Sequence, residues 1–395
     1  MHTARIVPRI SCSRRARSGA IRQIVLLLLF VAGLASPLCA QKTKPMSVAQ
    51  MEQWLAGVHG RADEKVAKQL GGLELTERVN RALLARWQAN LPGSQSRAAL
   101  MALADLSAFL DPPAADQLAA APPDLKAQGA MLSSAIDYVV QTLTKLPDFY
   151  ATRTTEHFQD TPSYETISTH QFGGCSSTNG CYTGAQNTIK VDPYEPLHTI
   201  GQSSVVVSYR DGVEIRGTQK MDRSLINQPA EGFTTAGEFG PILSVVLDDA
   251  MHNTIAWGYW EQGPHGKVAV FRYAVPVGQS SYAVALQNGA TSEKLFPAYH
   301  GEIAIDPASG AILRITVVAN PDPSHDVKQS DILVEYGVVS LGGKDYICPV
   351  KSAALLKSIN KDAQRGHQLR TKLNEVTFTG YHVLRGDVRI LPEQP

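Results

Sequence analysis

The chain has 395 residues, with 37 basic and 36 acidic side chains and a formal net charge of +1. That balance excludes a nucleic-acid binder working through bulk electrostatics, because no basic surplus exists to neutralise phosphates. The length suits about two domains, each burying a core.

The first 22 residues carry Arg5, Arg9, Arg14, Arg15, Arg17 and Arg22 and no acidic residue. An apolar run follows, Ile24-Val25-Leu26-Leu27-Leu28-Leu29-Phe30-Val31-Ala32, tapering through Gly33 and Ser36-Pro37. Basic region, apolar core and small-residue exit make a secretory signal over residues 1–40, with cleavage expected after Ala40. The core falls short of the roughly 20 apolar residues of a spanning helix. Ser13-Arg14-Arg15 leaves a twin-arginine route open, and Cys39 a lipid-modified start. The strongly apolar core argues against the first, and bulky Leu38 against the second. The expected location is periplasmic or extracellular. Without the signal, 31 basic residues face 36 acidic ones, a net charge of −5. No second long apolar run follows, so the mature chain is not expected to span a membrane.

Cleavage also leaves three cysteines, Cys175, Cys181 and Cys348. The first two sit in a polar, glycine-rich stretch, Gly173 to Cys181, read as a loop. In an oxidising compartment a Cys175–Cys181 disulfide is the first expectation, a longer link to Cys348 the alternative. Too few cysteines lie at tight spacing for a zinc site, and no metal or cofactor is expected.

Residues 41–146 read as a helical domain. Ser47-Val-Ala-Gln50 is a capping box leading to Met51, Leu55 and Val58 on one face. A short helix with Val66 and Leu70 ends at Gly71-Gly72. Thr76 is the expected cap of a helix carrying Val79, Leu83 and Trp87, and Ser96 starts one with Leu100, Leu103, Leu106 and Leu110. After an Ala/Pro linker, Asp124 opens a last helix with Leu132, Ile136, Val139 and Leu143. The spacing is three or four throughout.

From residue 147 to 395 the period becomes two, marking an antiparallel β domain. Hairpins are expected at Asp211-Gly212, Gly263–Gly266, Asp306–Gly310 and Gly342-Gly343, and a bulge at Gly380. One helix, from near Glu238 through Ile242, Val245, Val246 and Asp249, interrupts the series.

Two stretches carry a resemblance. Gly301-Glu-Ile-Ala-Ile-Asp306-Pro-Ala-Ser-Gly310-Ala-Ile-Leu-Arg314 is similar to a hairpin of the half-barrel superfamily of periplasmic lipoprotein carriers and envelope-stress sensor domains. Val334-Glu-Tyr336 through Gly343 to Pro349 resembles the next hairpin of that superfamily. The resemblance implies a groove between the sheet and its helix. The expected fold class is α+β: an N-terminal all-helical segment, then a curved antiparallel β-sheet (half-barrel) with one covering helix.

No nucleophile elbow, zinc-binding helix or phosphate-cradling loop is present in the sequence, so an enzyme is not the first reading. His300 and Glu302 share one strand face and read as an exposed pair. Asp248, Asp249 and His252 cluster at a helix end, and Arg385-Gly386-Asp387 reads as a hairpin turn. The aromatic set Trp257, Tyr259, Trp260, Phe271 and Tyr273 supplies the ligand-groove candidates, with Trp257 and Tyr259 on one face and Trp260 on the other. The leading expectation is an exported binding protein holding a lipid or lipoprotein-like ligand. Alternatives are an envelope scaffold that docks a protein partner through its helical half, and a hydrolase with an unrecognised site.

Overall fold

Local sequence decides where the first helix begins. Ser47 Oγ accepts from the Gln50 amide at 3.2 Å and Gln50 Oε1 from the Ser47 amide at 2.9 Å, the reciprocal pair of a capping box. The computed structural model describes residues 44–384, except 144–145, 162–163, 177–179, 193, 211–212, 217–219, 222–237, 239–240, 264–265, 289–290 and 363–365. The expected signal sequence, residues 1–40, and Arg385-Gly386-Asp387 lie outside the described residues. The described residues belong to one compact unit.

Five helices come first: α1 (Val48–Ala56), α2 (Asp63–Gly71), α3 (Arg81–Ala89), α4 (Ser94–Ser107) and α5 (Leu125–Leu143). The segment is not helical throughout, because β1 (Lys44–Met46) and β2 (Leu73–Leu75) pair in parallel among them. That pairing takes Thr76 away from its expected capping role, and its hydroxyl bonds the Met46 carbonyl at 3.3 Å. Asn80 caps α3 instead, accepting from the Leu83 amide at 2.8 Å. The N-terminus of α4 is capped from another helix: Asp63 accepts from the amides of Gln95 and Ser96 at 3.0 and 2.9 Å. Met51, Leu55, Val66, Leu70, Trp87 and Leu100 close a small core between these helices.

The main sheet has 11 strands. They are β3 (Phe149–Thr161), β6 (Glu195–Arg210), β7 (Val213–Arg216), β8 (Lys220–Met221), β9 (Thr254–Gly263), β10 (Gly266–Val275), β13 (Ala298–Ile305), β14 (Ile312–Asn320), β15 (Val327–Leu341), β16 (Lys344–Asp362) and β17 (Gly366–Val383). Their order is β7-β6-β3-β17-β16-β15-β14-β13-β10-β9, with β8 also on β6, and the pairing is antiparallel. The last strand thus lies beside the first, in the middle of the sheet. Hairpins β4–β5 (Tyr164–Ser176, Gly180–Asp192) and β11–β12 (Val284–Asn288, Thr291–Leu295) stand outside it. The fold is α+β with an antiparallel sheet. Gly380 has φ +60°, and the register shifts between Thr379 and His382, so the expected bulge is there.

Helices lie against both faces of the sheet. On one face, Ala98, Ala102 and Leu106 of α4 pack on Phe158, Leu355 and Leu373, and Ala108 packs on Leu333 and Ala353. Alanines allow this close approach, while Leu100 and Leu103 of the same helix point into the small helical core. The chain then crosses the sheet edge. The linker residue Gln117 bridges to Glu261 of β9, and the Leu118 amide bonds the Trp260 carbonyl at 2.9 Å. The linker thereby occupies backbone groups on that edge strand. On the opposite face, Ala135 and Val139 of α5 join Ile242, Val246 and Ala250 of α6 (Pro241–Met251) over Phe271, Ile303, Ile315 and Val334. The expected single covering helix is therefore joined by a second, drawn from the N-terminal segment.

Of the stretch Gly173 to Cys181, expected as a loop, the described residues belong to strands β4 and β5, whose register sets Cys175 opposite Cys181. Their side chains lie outside the described residues. Among the residues whose side chains are described no disulfide is found, and Cys348 is a buried free thiol that desolvation pushes up to about 12. No described helix is long and apolar enough to cross a membrane.

Candidate functional site

Strand alternation carries the argument for where chemistry lies. On β3, the residues facing α5 and α6 begin apolar, with Phe149 and Ala151 buried, and then turn polar with Arg153, Thr155 and His157. The neighbouring strands, both antiparallel to β3, do the same: Asn374 precedes Val376 on β17, and Ser203 precedes Val205 and Val207 on β6. Register sets Asn374 opposite His157 and Ser203 opposite Thr155. A polar strip therefore interrupts an otherwise apolar face.

Its side chains are arranged in series. His157 Nε2 lies 2.9 Å from Ser203 Oγ, and His157 Nδ1 lies 2.9 Å from Asn374 Oδ1. Since Asn374 Oδ1 can only accept, the network places the proton on Nδ1 and leaves the Nε2 lone pair facing the Ser203 hydroxyl. Desolvation is the largest influence on His157 and lowers its pKa below the ordinary histidine value, with Arg153 lowering it further. The imidazole is therefore neutral at pH 7. Arg153 bonds the Thr155 hydroxyl at 3.0 Å and the buried Glu238 carboxylate at 3.3 Å. The alpha-helical side of this face is anchored by another polar group. Asp249 of α6 accepts from the Tyr299 hydroxyl and the Ser281 amide, each at 2.7 Å.

The aromatic groove candidates divide differently from expectation. Phe271 pairs with Trp257 and Val270 with Tyr259, so Gly258 is an extra residue in β9. This bulge puts Trp257 and Trp260 on the same face, in contact edge to face at 4.8 Å, and leaves Tyr259 on the other. Trp257 and Trp260 are half-buried, whereas Phe271 and Tyr273 are core.

Tyr259 belongs to a buried ion network under the helical segment. Arg78, from the segment before α3, donates to Glu302 at 3.0 Å, Glu261 at 2.8 Å and the Tyr259 hydroxyl at 3.1 Å. Arg314 grips Glu261 with both amino groups, at 3.0 and 2.7 Å, and Arg272 bonds Asp111 and Glu302. Burial alone would raise the Glu261 pKa, but Arg314 and Arg78 outweigh it and hold the carboxyl below its ordinary value. Glu302 is thus no exposed partner of His300: it is half-buried beneath Arg78, while His300 stays exposed and contacts Asn320 at 3.2 Å. His252 pairs with Asp248 at the surface, apart from buried Asp249. Three guanidinium groups and three carboxylates make this network self-neutralising, as expected of a structural clamp.

A second cluster on that face is unbalanced. Lys351 bonds Asp105 at 2.6 Å and Glu375 at 3.3 Å, with Glu335 also nearby. Desolvation, then Asp105, pushes Glu375 up to about 7 from 4.5. The folded state therefore holds this proton more tightly, and the stability so gained is lost as pH rises from about 4.5 to 7. Glu375→Gln should raise stability above pH 7 by about 1–2 kcal/mol and by almost nothing at pH 4.5. Urea unfolding at both pH values checks this, and an equal gain at both would exclude the mechanism.

Sequence reasoning missed His157, Ser203 and Asn374, which lie 46 and 217 positions apart along the chain. Their one sequence signal was a polar residue in the buried phase of each strand. Among the described residues no group of three or more His, Cys, Asp or Glu side chains is arranged to hold a metal ion. The chain matches no family model, no curated protein and no solved structure in these comparisons.

Proposed function

We propose that the protein is an exported binding protein that holds an apolar ligand, an acyl chain or a lipoprotein-like group, against the face of its sheet covered by α5 and α6. The observation that carries this reading is the nature of α5. It packs Ala135 and Val139 onto the sheet and leaves Leu125, at its start, 84% exposed. Half-buried Trp257 and Trp260 lie at the β9 end of the same face and add apolar surface there. The two stretches similar to the half-barrel superfamily fall on β13–β14 and β15–β16, beneath this face, and a curved half-barrel would give the ligand its groove. Export follows from the basic and apolar residues of 1–40.

Native mass spectrometry of the full-length product, purified from the envelope of a bacterial host, tests the reading. The expected spectrum contains a bound lipid-sized mass that is reduced in Trp257→Ala/Trp260→Ala. Only the bare polypeptide mass would refute it.

A further inference from the structure

We propose that Ser203, His157 and Asn374 form a nucleophile, base and orienting group that hydrolyse a carboxylic ester with an apolar acyl group. The acyl preference rests on the binding reading above, whereas the nucleophile rests only on the geometry. A serine hydroxyl is a weak nucleophile until a neutral base within about 2.6–3.2 Å takes its proton, and that base needs a third group to fix its orientation. Both hydrogen bonds here are 2.9 Å, and the three side chains come from adjacent strands β6, β3 and β17. Rigid strands hold such a constellation more tightly than loops do.

The surroundings suit the chemistry. Phe149, Ala151, Val207 and Tyr209 form a packed apolar cluster farther along β3 and β6, so the strands carrying the polar side chains are held in a rigid core. Arg153, bonded to the Thr155 hydroxyl at 3.0 Å and paired with Glu238 at 3.3 Å, fixes the polar strip beside Ser203. Ser203 is buried and His157 half-buried, so an ester reaches the hydroxyl past the imidazole.

In the first step Ser203 Oγ bonds to the ester carbonyl carbon while its proton passes to His157 Nε2. The carbon–oxygen bond to the alcohol then breaks, and the alcohol leaves with the proton from His157. Water repeats the sequence on the acyl-serine: it gives a proton to His157 and releases the carboxylic acid. His157 then returns the proton to Ser203. The sum is ester plus water giving acid plus alcohol. Asn374 is a positioning residue throughout.

The test treats the full chain with two fluorophosphonates, one with a short and one with a long alkyl group, and maps the labelled residue by mass spectrometry. One label on Ser203 of the wild-type protein is expected, absent in Ser203→Ala and formed about 100-fold more slowly in His157→Ala. Asn374→Asp should shift the acid limb of the labelling profile to higher pH, which loss of packing alone would not do. No label on Ser203 of the folded wild-type protein overturns the proposal, a result independent of whether any variant folds. Equal rates for the two reagents overturn the acyl preference and leave the array standing. A lipid adduct in the native spectrum without labelling keeps the binding reading and removes the array.

Discussion

Replacing Arg78 by methionine should destabilise the protein by about 3–5 kcal/mol, the usual consequence of removing one partner from a buried ion pair. The side chain is 8% exposed and is the donor through which the N-terminal segment reaches Glu261, Glu302 and Tyr259 of the sheet. Its loss leaves Glu302 with the Tyr259 hydroxyl, which donates at 2.8 Å, and with only longer charge contacts to Arg272 at 3.4 Å and Arg314 at 3.6 Å. Glu261 keeps its bidentate bond to Arg314, which sets the expectation toward the lower end of the range. Lysine should not restore the loss, because one ammonium group cannot reproduce the fork of contacts made by Nη1 and Nη2. Equilibrium urea unfolding decides the matter. A change below about 1 kcal/mol would show that the network behaves as a screened surface cluster.

Gly301→Ala should be destabilising by about 3 kcal/mol or more, at the upper end of overpacking effects. A Cβ at this position would stand 1.9 Å from the Thr316 carbonyl oxygen and 3.0 Å from the Tyr273 hydroxyl. The reason is a local departure from ordinary strand pairing. The Tyr273 hydroxyl lies opposite Gly301 and donates to the Thr316 carbonyl at 2.7 Å, while the Glu302 amide donates to Thr316 Oγ1 at 2.8 Å. The bare glycine is what lets β13 and β14 come together beneath the phenol. Tyr273→Phe, which keeps the ring but orphans that carbonyl, should lose about 1–3 kcal/mol. If alanine at 301 were tolerated within about 1 kcal/mol, the strands would have to separate there without penalty, and the close approach would be incidental.

Much of the architecture was legible before the structure, and for local reasons. Helix starts at Ser47 and Asp124 depend on side chains three residues away, as does the Ala127 amide bond to Asp124 at 2.7 Å. The hairpins around 263–266, 306–310 and 342–343 depend on glycines with positive φ at Gly266, Gly310 and Gly342, where a Cβ would strain the backbone. Errors came wherever a remote partner intervened. Thr76 lost its capping role to β1, 30 positions away, and the Gly258 bulge turned Tyr259 away from Trp257. Glu302 read as exposed because nothing in its own strand announces Arg78, 224 positions away.

The sequence by itself determined the alternation of strands, the caps at Ser47 and Asp124, the turn positions and the basic-then-apolar order of residues 1–40, all properties of neighbouring residues. Only the tertiary structure decided that the N-terminal helices lie on both faces of the sheet, and that β17 returns beside β3. That return is what brings Asn374 to His157, and the β3–β6 register brings Ser203 to its other side. Strand order is set by how a whole sheet closes its apolar faces, and no local pattern encodes it. A site assembled across three strands becomes visible only when that order is known.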